Sequence, residues 1–121
     1  MARQQLGILG ENLAIAELTR RGYAILDRRY RTRHGEIDIV AEDGGTIVFV
    51  EVKAREDVTC GAAAEAVTRE KQRRVMSRAV EYLARNHVTN LPCRFDVVAI
   101  DYAGTPAQTV TVYPHAFEST G

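Results

Sequence analysis

Two Ile- and Val-rich segments joined by a glycine turn limit the folds open to this chain more than any other feature. Residues 36–41 and 46–55 flank the tripeptide Asp43-Gly44-Gly45, which is typical of a tight β-hairpin turn. The stretch 47–52 carries apolar residues on both of its alternating faces, a pattern that indicates a strand covered on both sides. The hairpin therefore predicts a sheet that is buried between other elements of the fold.

The segments around the hairpin predict the element order αβββαββ. In chain order they are a helix over 7–21, a strand starting at 24–26, the two hairpin strands, a loop over 56–66, a helix over 71–86 and strands over 94–101 and 109–113. Gly22 is a typical C-terminal stop for the first helix, and Thr68 is a typical N-cap for the second. Val75, Ala79 and Leu83 form the apolar face of the second helix. No repeat or linker interrupts the 121 residues, so the sequence predicts one domain, 1–121.

Composition excludes several classes of protein. Hydrophobic residues make up 45% of the chain and only 2 cysteines are present, which excludes disordered chains and disulfide scaffolds. No run of about 18 apolar residues exists to span a membrane, and the N-terminal segment lacks the apolar stretch of a secretion signal. Cys60 and Cys93 follow no metal-binding or redox spacing and are expected to be free thiols. We therefore expect a cytoplasmic protein without a membrane partner.

The formal net charge of zero hides a segregation of charge along the chain. The 16 basic and 16 acidic residues balance overall, which by itself argues against nucleic acid as a partner. Residues 1–40, 41–70, 71–94 and 95–121 nevertheless carry net charges of +2, −4, +5 and −3. The basic clusters are Arg28, Arg29, Arg31 and Arg33 beside His34, and Lys71, Arg74 and Arg78 on one flank of the second helix. That flank is either a solvated surface or a phosphate-binding one, so a nucleic-acid partner stays open.

Strand alternation places four ionisable residues of the hairpin on one face. With the turn centred on the two glycines, Asp38 lies across from Glu51, and Glu36 lies across from Lys53. Centring the turn one residue earlier changes these partners but keeps all four on one face. The same alternation divides the first hairpin strand into one face with Glu36, Asp38 and Val40 and another with Ile37, Ile39 and Ala41.

The two facing carboxylates, Asp38 and Glu51, predict a metal site. Like charges opposite one another destabilise a sheet, and in a low dielectric they repel unless a cation lies between them or one is protonated. Mg²⁺ meets this need, because it is held by one or two carboxylates together with waters and substrate phosphate oxygens. Lys53 would then lie beside the reacting phosphate. The competing interpretation of Glu51 and Lys53 is an exposed cross-strand salt bridge.

The combined pattern resembles a known family. The string GEIDIV at 35–40, followed after the turn by VFVEVKAR at 48–55, is similar to the bacterial YraN-like family. That family is regarded as a predicted endonuclease branch of the PD-(D/E)XK superfamily, related to archaeal Holliday junction resolvases. The match covers about residues 7–112 and includes Gly10-Glu11, Ala14, Gly61, Glu65-Ala66-Val67, Lys71, Tyr82-Leu83 and Arg94-Phe95-Asp96-Val97-Val98.

The resemblance implies a restriction endonuclease-like α/β fold with an αβββαβ core, in which helices flank a mixed β-sheet. It also implies that Asp38 and Glu51 bind the metal, that Lys53 is the lysine of the nuclease motif, and that Glu11 is a further metal-binding acid on the first helix. From the residues alone, Glu11 lies within an apolar arc of that helix and is either directed at a site or a surface glutamate near the helix start.

Two positions depart from the pattern of the family. Ile37 stands where the superfamily name has Pro, and Arg29 stands where the family usually has Asn, so no role is carried over to Arg29. Related resolvases act as dimers, and by analogy alone we expect a homodimer.

These observations predict a metal-dependent endonuclease that hydrolyses phosphodiester bonds in DNA, reading branched or damaged structures more than base sequence. The expected cofactor is Mg²⁺, with Mn²⁺ as a substitute, and the candidate catalytic residues are Asp38, Glu51, Lys53 and Glu11. Phosphate contacts are expected from Arg31, Arg33, His34, Lys71, Arg74 and Arg78. Two alternatives stay open: a non-catalytic nucleic-acid-binding module with the same fold, and a scaffold for a protein partner. Arg94 and Asp96 share a strand face and are expected to form a structural ion pair.

Overall fold

The fold confirms the predicted order of helices and strands. The computed structural model describes residues 1–57 and 68–117. Its elements are α1 (Arg3–Arg20), β1 (Ala24–Thr32), β2 (Gly35–Asp43), β3 (Thr46–Ala54), α2 (Arg69–Arg85), β4 (Cys93–Asp101) and β5 (Thr109–Phe117). Most of the predicted loop over 56–66, including Cys60, lies outside the described residues, as do Gly61 and Glu65-Ala66-Val67 of the family pattern.

The five strands form one mixed sheet in the order β1-β2-β3-β4-β5. Neighbouring strands are antiparallel except for β3 and β4, which are parallel. Parallel neighbours need a crossover connection, and α2 lies in the segment that joins these two strands. The architecture is the mixed sheet flanked by helices that the family resemblance implied.

The glycine turn sets the register of the β2–β3 hairpin as predicted. Gly44 and Gly45 have φ angles of 56° and 90°, so both central residues of the turn are left-handed, as a type I′ turn requires. The ladder runs from the Asp43–Thr46 pair to the Ile39–Val50 pair. It ends there, one pair before Asp38 and Glu51 would meet.

The ends of the helices depend on local hydrogen bonds. Helix α1 begins four residues earlier than the sequence predicted, where the backbone N–H of Ala2 donates to Oε1 of Gln5 at 3.1 Å. It ends at Arg20, one residue before the predicted end, and the predicted stop Gly22 follows with a φ of 92°. Helix α2 begins after Thr68, whose hydroxyl accepts the N–H of Lys71 at 3.2 Å and so confirms the predicted N-cap.

In the described part of the chain, one helix covers each face of the sheet, which confirms that the hairpin is buried on both sides. On the α1 side, Ala14 and Leu18 pack against Val48 and Val50 of β3 and their neighbours. The α2 side is formed by Val75, Ala79 and Tyr82 with Ile47, Phe49, Phe95 and Val97. Tyr82, which the helical pattern did not select, is buried there, whereas the predicted face residue Leu83 is only partly buried.

The predicted division of β2 into two faces is wrong at its first residues. Ile37 packs with Val40 on the α2 side, whereas Ile39 packs on the α1 side. Strand alternation is therefore interrupted at Asp38, which lines a cleft on the α1 side instead of sharing a face with Val40. On the adjacent strand, Arg29 lies between the residues that pair with Ile39 and Ile37, and it has a left-handed backbone with φ of 49°.

Helix α1 approaches the end of β3 very closely. A Cβ added to Gly10 would lie 2.6 Å from Cβ of Ala54, so only glycine allows this approach. The contact places Glu11, the next residue, beside the open end of the hairpin. Within the described parts of the chain, neither helix is long and apolar enough to cross a membrane.

The predicted Arg94–Asp96 ion pair is confirmed. Nε of Arg94 lies 3.1 Å from Oδ1 of the fully buried Asp96. The hydroxyl of Tyr23 donates to Oδ2 of Asp96 at 3.1 Å, and Nη2 of Arg94 lies 3.0 Å from Asp43. These contacts tie the α1–β1 connection and the hairpin turn to β4.

Candidate metal and nucleic-acid site

A cleft of about 550 Å³ lies between α1 and the open end of the β2–β3 hairpin. Three of the predicted catalytic residues, Glu11, Asp38 and Lys53, line this cleft. The other residues that line it are Arg3, Gln4, Leu6, Gly7, Ile8, Arg29, Glu36, Val52 and Ala54. The sheet and the first helix thus bring together residues from four separate elements.

The carboxyl group of Asp38 accepts a backbone N–H of β3 at the point where the β2–β3 ladder ends. Just past the last ladder pair, Oδ2 of Asp38 accepts the backbone N–H of Val52 at 2.8 Å. Burial of the carboxyl group, and next the negative charge of Glu51, raise the pKa of Asp38 from 3.8 to about 7. A carboxylate with a raised pKa is a group that gains from a nearby cation.

Glu51 faces the α2 side of the sheet. Its side chain is only 14% exposed, and its Oε1 lies 3.5 Å from Nζ of Lys71. Its charge nevertheless contributes to the raised pKa of Asp38, so the two carboxylates interact although no ladder pair joins them. The sequence placed Lys71 on a helix flank that is either solvated or phosphate-binding. In the fold, the Lys71 ammonium group pairs with Glu51.

Lys53 and Glu36 both line the cleft, but the ladder does not reach the pairing predicted for them. Glu36 is exposed and lies 3.5 Å from Arg31. The residues at the start of β2 pair instead with β1, where Arg31 is opposite Glu36. The hairpin therefore opens at this end, and the opening forms the cleft.

Glu11 is buried, so the interpretation of it as a surface glutamate is wrong. It is 7% exposed. Oε1 of Glu11 accepts from Nε of Arg28 at 2.9 Å, and Oε2 accepts from Nε of Arg29 at 2.8 Å. Both oxygens of this carboxylate are engaged by arginines, a contact that the sequence did not indicate because consecutive strand residues normally point to opposite faces.

Carboxylate oxygens are ligands that suit a magnesium ion, although Asp38 lines the cleft on the α1 side and Glu51 faces the α2 side of the sheet. Within residues 1–57 and 68–117, no group of three or more His, Cys, Asp and Glu side chains is arranged to hold a metal. Mg²⁺ does not need such a group, because it keeps several waters and is bound by one or two carboxylates. Of the carboxylates near Asp38, Glu51 acts on its charge most strongly, and a cation would relieve the repulsion that adds to burial in raising the pKa of Asp38.

The predicted phosphate-binding residues differ in solvent exposure and in their partners within the protein. Arg31 and Arg33 have side chains that are 86% and 83% exposed, and His34 is exposed beside them. Arg33 lies 3.2 Å from Glu81 of α2. Arg74 is exposed and lies 4.0 Å from Glu70. These side chains are accessible to a ligand.

The Arg78 side chain forms hydrogen bonds within the protein. Its Nε donates to the carbonyl of His34 at 2.9 Å and its Nη1 to the carbonyl of Glu36 at 3.1 Å. The guanidinium lies over Gly35, where a Cβ would be only 2.8 Å from Nη2. Arg78 thus fastens α2 to the β1–β2 turn, a role that helical spacing alone could not reveal.

The comparisons with known proteins identify relatives along almost the whole chain. The family model described as "Uncharacterised protein family UPF0102" matches residues 10–100. A UPF0102 protein of Geobacter sulfurreducens is 45% identical over 113 residues, covering 93% of this chain and 88% of that protein. UPF0102 proteins of Geobacter metallireducens and Symbiobacterium thermophilum are 46% and 49% identical, covering 95% and 81% of this chain and 93% and 83% of those proteins. These names state no activity, so the function has to be argued from the site.

Proposed function

The chain belongs to the uncharacterised protein family UPF0102, and from that premise we propose that it is a metal-dependent endonuclease that hydrolyses phosphodiester bonds in DNA. The family membership agrees with the resemblance to the YraN-like family. The nuclease activity rests on the site.

The observation that carries the proposal is the position of Asp38. Its carboxyl group leaves the sheet ladder, takes the N–H of Val52 and lines a cleft with Lys53. The charge of Glu51 acts on it from the next strand. A structural role does not require two carboxylates that destabilise each other, whereas a cation site does.

In this proposal Asp38 and Glu51 hold Mg²⁺ or Mn²⁺, and Lys53 contributes a positive charge beside the reacting phosphate. The bound ion would supply an activated water and neutralise charge on the scissile phosphate. Lys53 would orient the attacking water or stabilise the negative charge of the transition state. Lys71 stabilises the charge of Glu51 while no substrate is bound.

Substrate positioning is assigned to exposed basic residues of the β1–β2 hairpin and of α2. Arg31, Arg33 and His34 lie on the β1–β2 hairpin, and Arg74 lies on α2. Contacts to phosphates fix the position of the duplex but carry no sequence information. We therefore propose selectivity for DNA structure, such as branched or damaged DNA, over base sequence.

The test is cleavage of labelled DNA by the purified protein. Four-way junctions, single strands and linear duplexes are incubated with Mg²⁺, with Mn²⁺ or with a chelator. We expect cutting only with the metal ions, and a loss of about 10²-fold or more in the Lys53→Ala variant. Metal-dependent cutting that survives Lys53→Ala at the wild-type rate would show that the activity does not come from this site.

One observation favours a second function, a nucleic-acid-binding module without catalysis. Lys71 neutralises Glu51 and two arginines neutralise Glu11, so much of the acidic charge is already balanced without a metal. Calorimetric titration with Mg²⁺ and Mn²⁺ in the presence of DNA separates the two functions. The endonuclease requires a metal site that disappears in Asp38→Asn, and the binding module requires DNA binding without one.

A further inference from the structure

The ion pairs of Glu11 do not suit the role of a metal ligand. Its two oxygens accept from Nε of Arg28 at 2.9 Å and from Nε of Arg29 at 2.8 Å, in a buried position. Two guanidinium groups compensate the charge of this carboxylate in full. Glu11 therefore lacks the uncompensated charge that distinguishes Asp38.

The backbone of β1 is distorted at the point where these ion pairs form. Side chains of consecutive strand residues normally alternate between faces, yet Arg28 and Arg29 both reach the same carboxylate on α1. This is achieved by the left-handed backbone of Arg29, with φ of 49°. Such a conformation is unfavourable for arginine, and strained residues of this kind cluster at functional sites.

Arg28 and Arg29 differ in whether their Nη groups donate to another side chain of the protein. Arg28 uses Nη2 to donate to Oδ1 of Asn12 at 2.8 Å. Arg29 lines the cleft with Asp38 and Lys53, and its side chain is 49% exposed. Across the described ranges 1–57 and 68–117, the only side-chain hydrogen bond of Arg29 is the one that its Nε donates to Glu11, so its Nη atoms donate none. Glu11 thus fixes the inner edge of the Arg29 guanidinium and leaves its outer donors available in the cleft.

We infer that Arg29 binds a phosphate of the nucleic-acid backbone in this cleft, and that Glu11 is the positioning residue for Arg29 and not a metal ligand. A guanidinium anchored through Nε can offer its two Nη groups to phosphate oxygens. The inference rests on the proposed function, because a DNA substrate supplies the phosphate. It assigns a role to the residue that the family resemblance left without one.

The first experiment measures binding of a fluorescein-labelled four-way DNA junction in a chelator, over a series of salt concentrations. The informative variant is Arg29→Asn, because asparagine adopts the left-handed backbone readily and the fold should be kept. We expect an affinity about tenfold lower than wild type and a log–log salt slope smaller by about 0.9, the loss of one phosphate contact. Arg29→Lys should keep the slope and lose part of the affinity.

A matched control lies on the same helix. Glu17 of α1 also holds two arginines, and Nε of Arg21 lies 2.8 Å from it, as Nε of Arg29 does from Glu11. Arg21 does not line the cleft. Arg21→Gln should therefore bind the junction with the wild-type affinity and salt slope.

The role of Glu11 is tested by Glu11→Gln in two assays, with thermal unfolding to confirm folding. Junction binding should weaken, because Arg29 loses its charged anchor, while the affinity for Mg²⁺ measured by calorimetry should stay at the wild-type value. A tenfold or larger loss of Mg²⁺ affinity would make Glu11 a metal ligand and overturn its positioning role. If wild type binds the junction and Arg29→Asn binds it equally well with the same slope, the phosphate assignment is wrong. Failure of wild type itself to bind DNA would instead refute the proposed function.

Discussion

Replacing Asp38 with asparagine should stabilise the metal-free protein, and should do so more strongly at higher pH. Burial first, and the charge of Glu51 second, raise the pKa of the Asp38 carboxyl from 3.8 to about 7. Asparagine has nearly the same shape, and its Oδ1 can still accept the N–H of Val52. The substitution therefore removes the charge and keeps the hydrogen bond.

The size of the effect follows from the two pKa values. Between them, from about 4 to about 7, the folded protein keeps a proton on Asp38 that the unfolded chain releases. The free energy of unfolding of wild type therefore falls as pH rises, by about 1.4 kcal/mol per pH unit. Over the full interval this is on the order of 4 kcal/mol, which Asp38→Asn should recover at neutral pH and not at pH of about 4.

Urea denaturation in a chelator, repeated across this pH range for both proteins, measures the difference directly. Addition of Mg²⁺ at neutral pH should then stabilise wild type by mass action and leave the variant unchanged. A difference between the two proteins that is constant with pH would show that the raised pKa of Asp38 does not destabilise the fold. Lower stability of Asp38→Asn than of wild type in the chelator at neutral pH would show the same.

Two other stability predictions follow from the packing. Gly10→Ala places a Cβ 2.6 Å from that of Ala54 and should lower the free energy of unfolding by about 1–3 kcal/mol in urea denaturation. The control Gly7→Ala, whose Cβ would have nothing within 4 Å, should raise it by about 0.5–1 kcal/mol. Equal effects of the two substitutions would contradict the close approach of α1 to β3. Asp96→Asn removes the buried partner of Arg94 and should cost about 3 kcal/mol, and a change below about 0.5 kcal/mol would show that the pair adds nothing to stability.

The hairpin register could be predicted from the sequence because it depends on a local signal. Two adjacent glycines admit the left-handed turn that matches the twist of the strands, and the turn fixes every pair up to Ile39 and Val50. The same reasoning predicted the N-cap at Thr68 and the stop at Gly22. In each case a few neighbouring residues determine the conformation.

The interruption at Asp38 could not be predicted in this way. It coincides with the left-handed backbone of Arg29 on the neighbouring strand, and arginine carries no local preference for that conformation. The ion pairs to Glu11 that accompany it join α1 and β1. Period-two alternation therefore placed Asp38 beside Val40, whereas the fold turns it toward α1.

The basic residues show the same limit of sequence reasoning. Helical spacing predicted correctly that Lys71, Arg74 and Arg78 follow one flank of α2, but not that their partners differ. Lys71 contacts Glu51, Arg74 is exposed, and Arg78 donates to two backbone carbonyls of the β1–β2 hairpin. These partners belong to elements that are distant in the sequence. Only the folded structure therefore shows which basic side chains are exposed and which are paired within the protein.

Single-turnover cleavage of a labelled four-way junction with Mg²⁺ measures whether the Asp38 and Glu51 carboxylates support phosphodiester hydrolysis. Wild type is compared with Glu51→Ala, and Glu42→Gln on β2, outside the cleft, is the control prepared in the same way. We expect wild type and Glu42→Gln to cut at equal rates and Glu51→Ala to be slower by about 10²-fold or more. Cutting by Glu51→Ala at the wild-type rate, or no metal-dependent cutting by wild type, would contradict the proposed function.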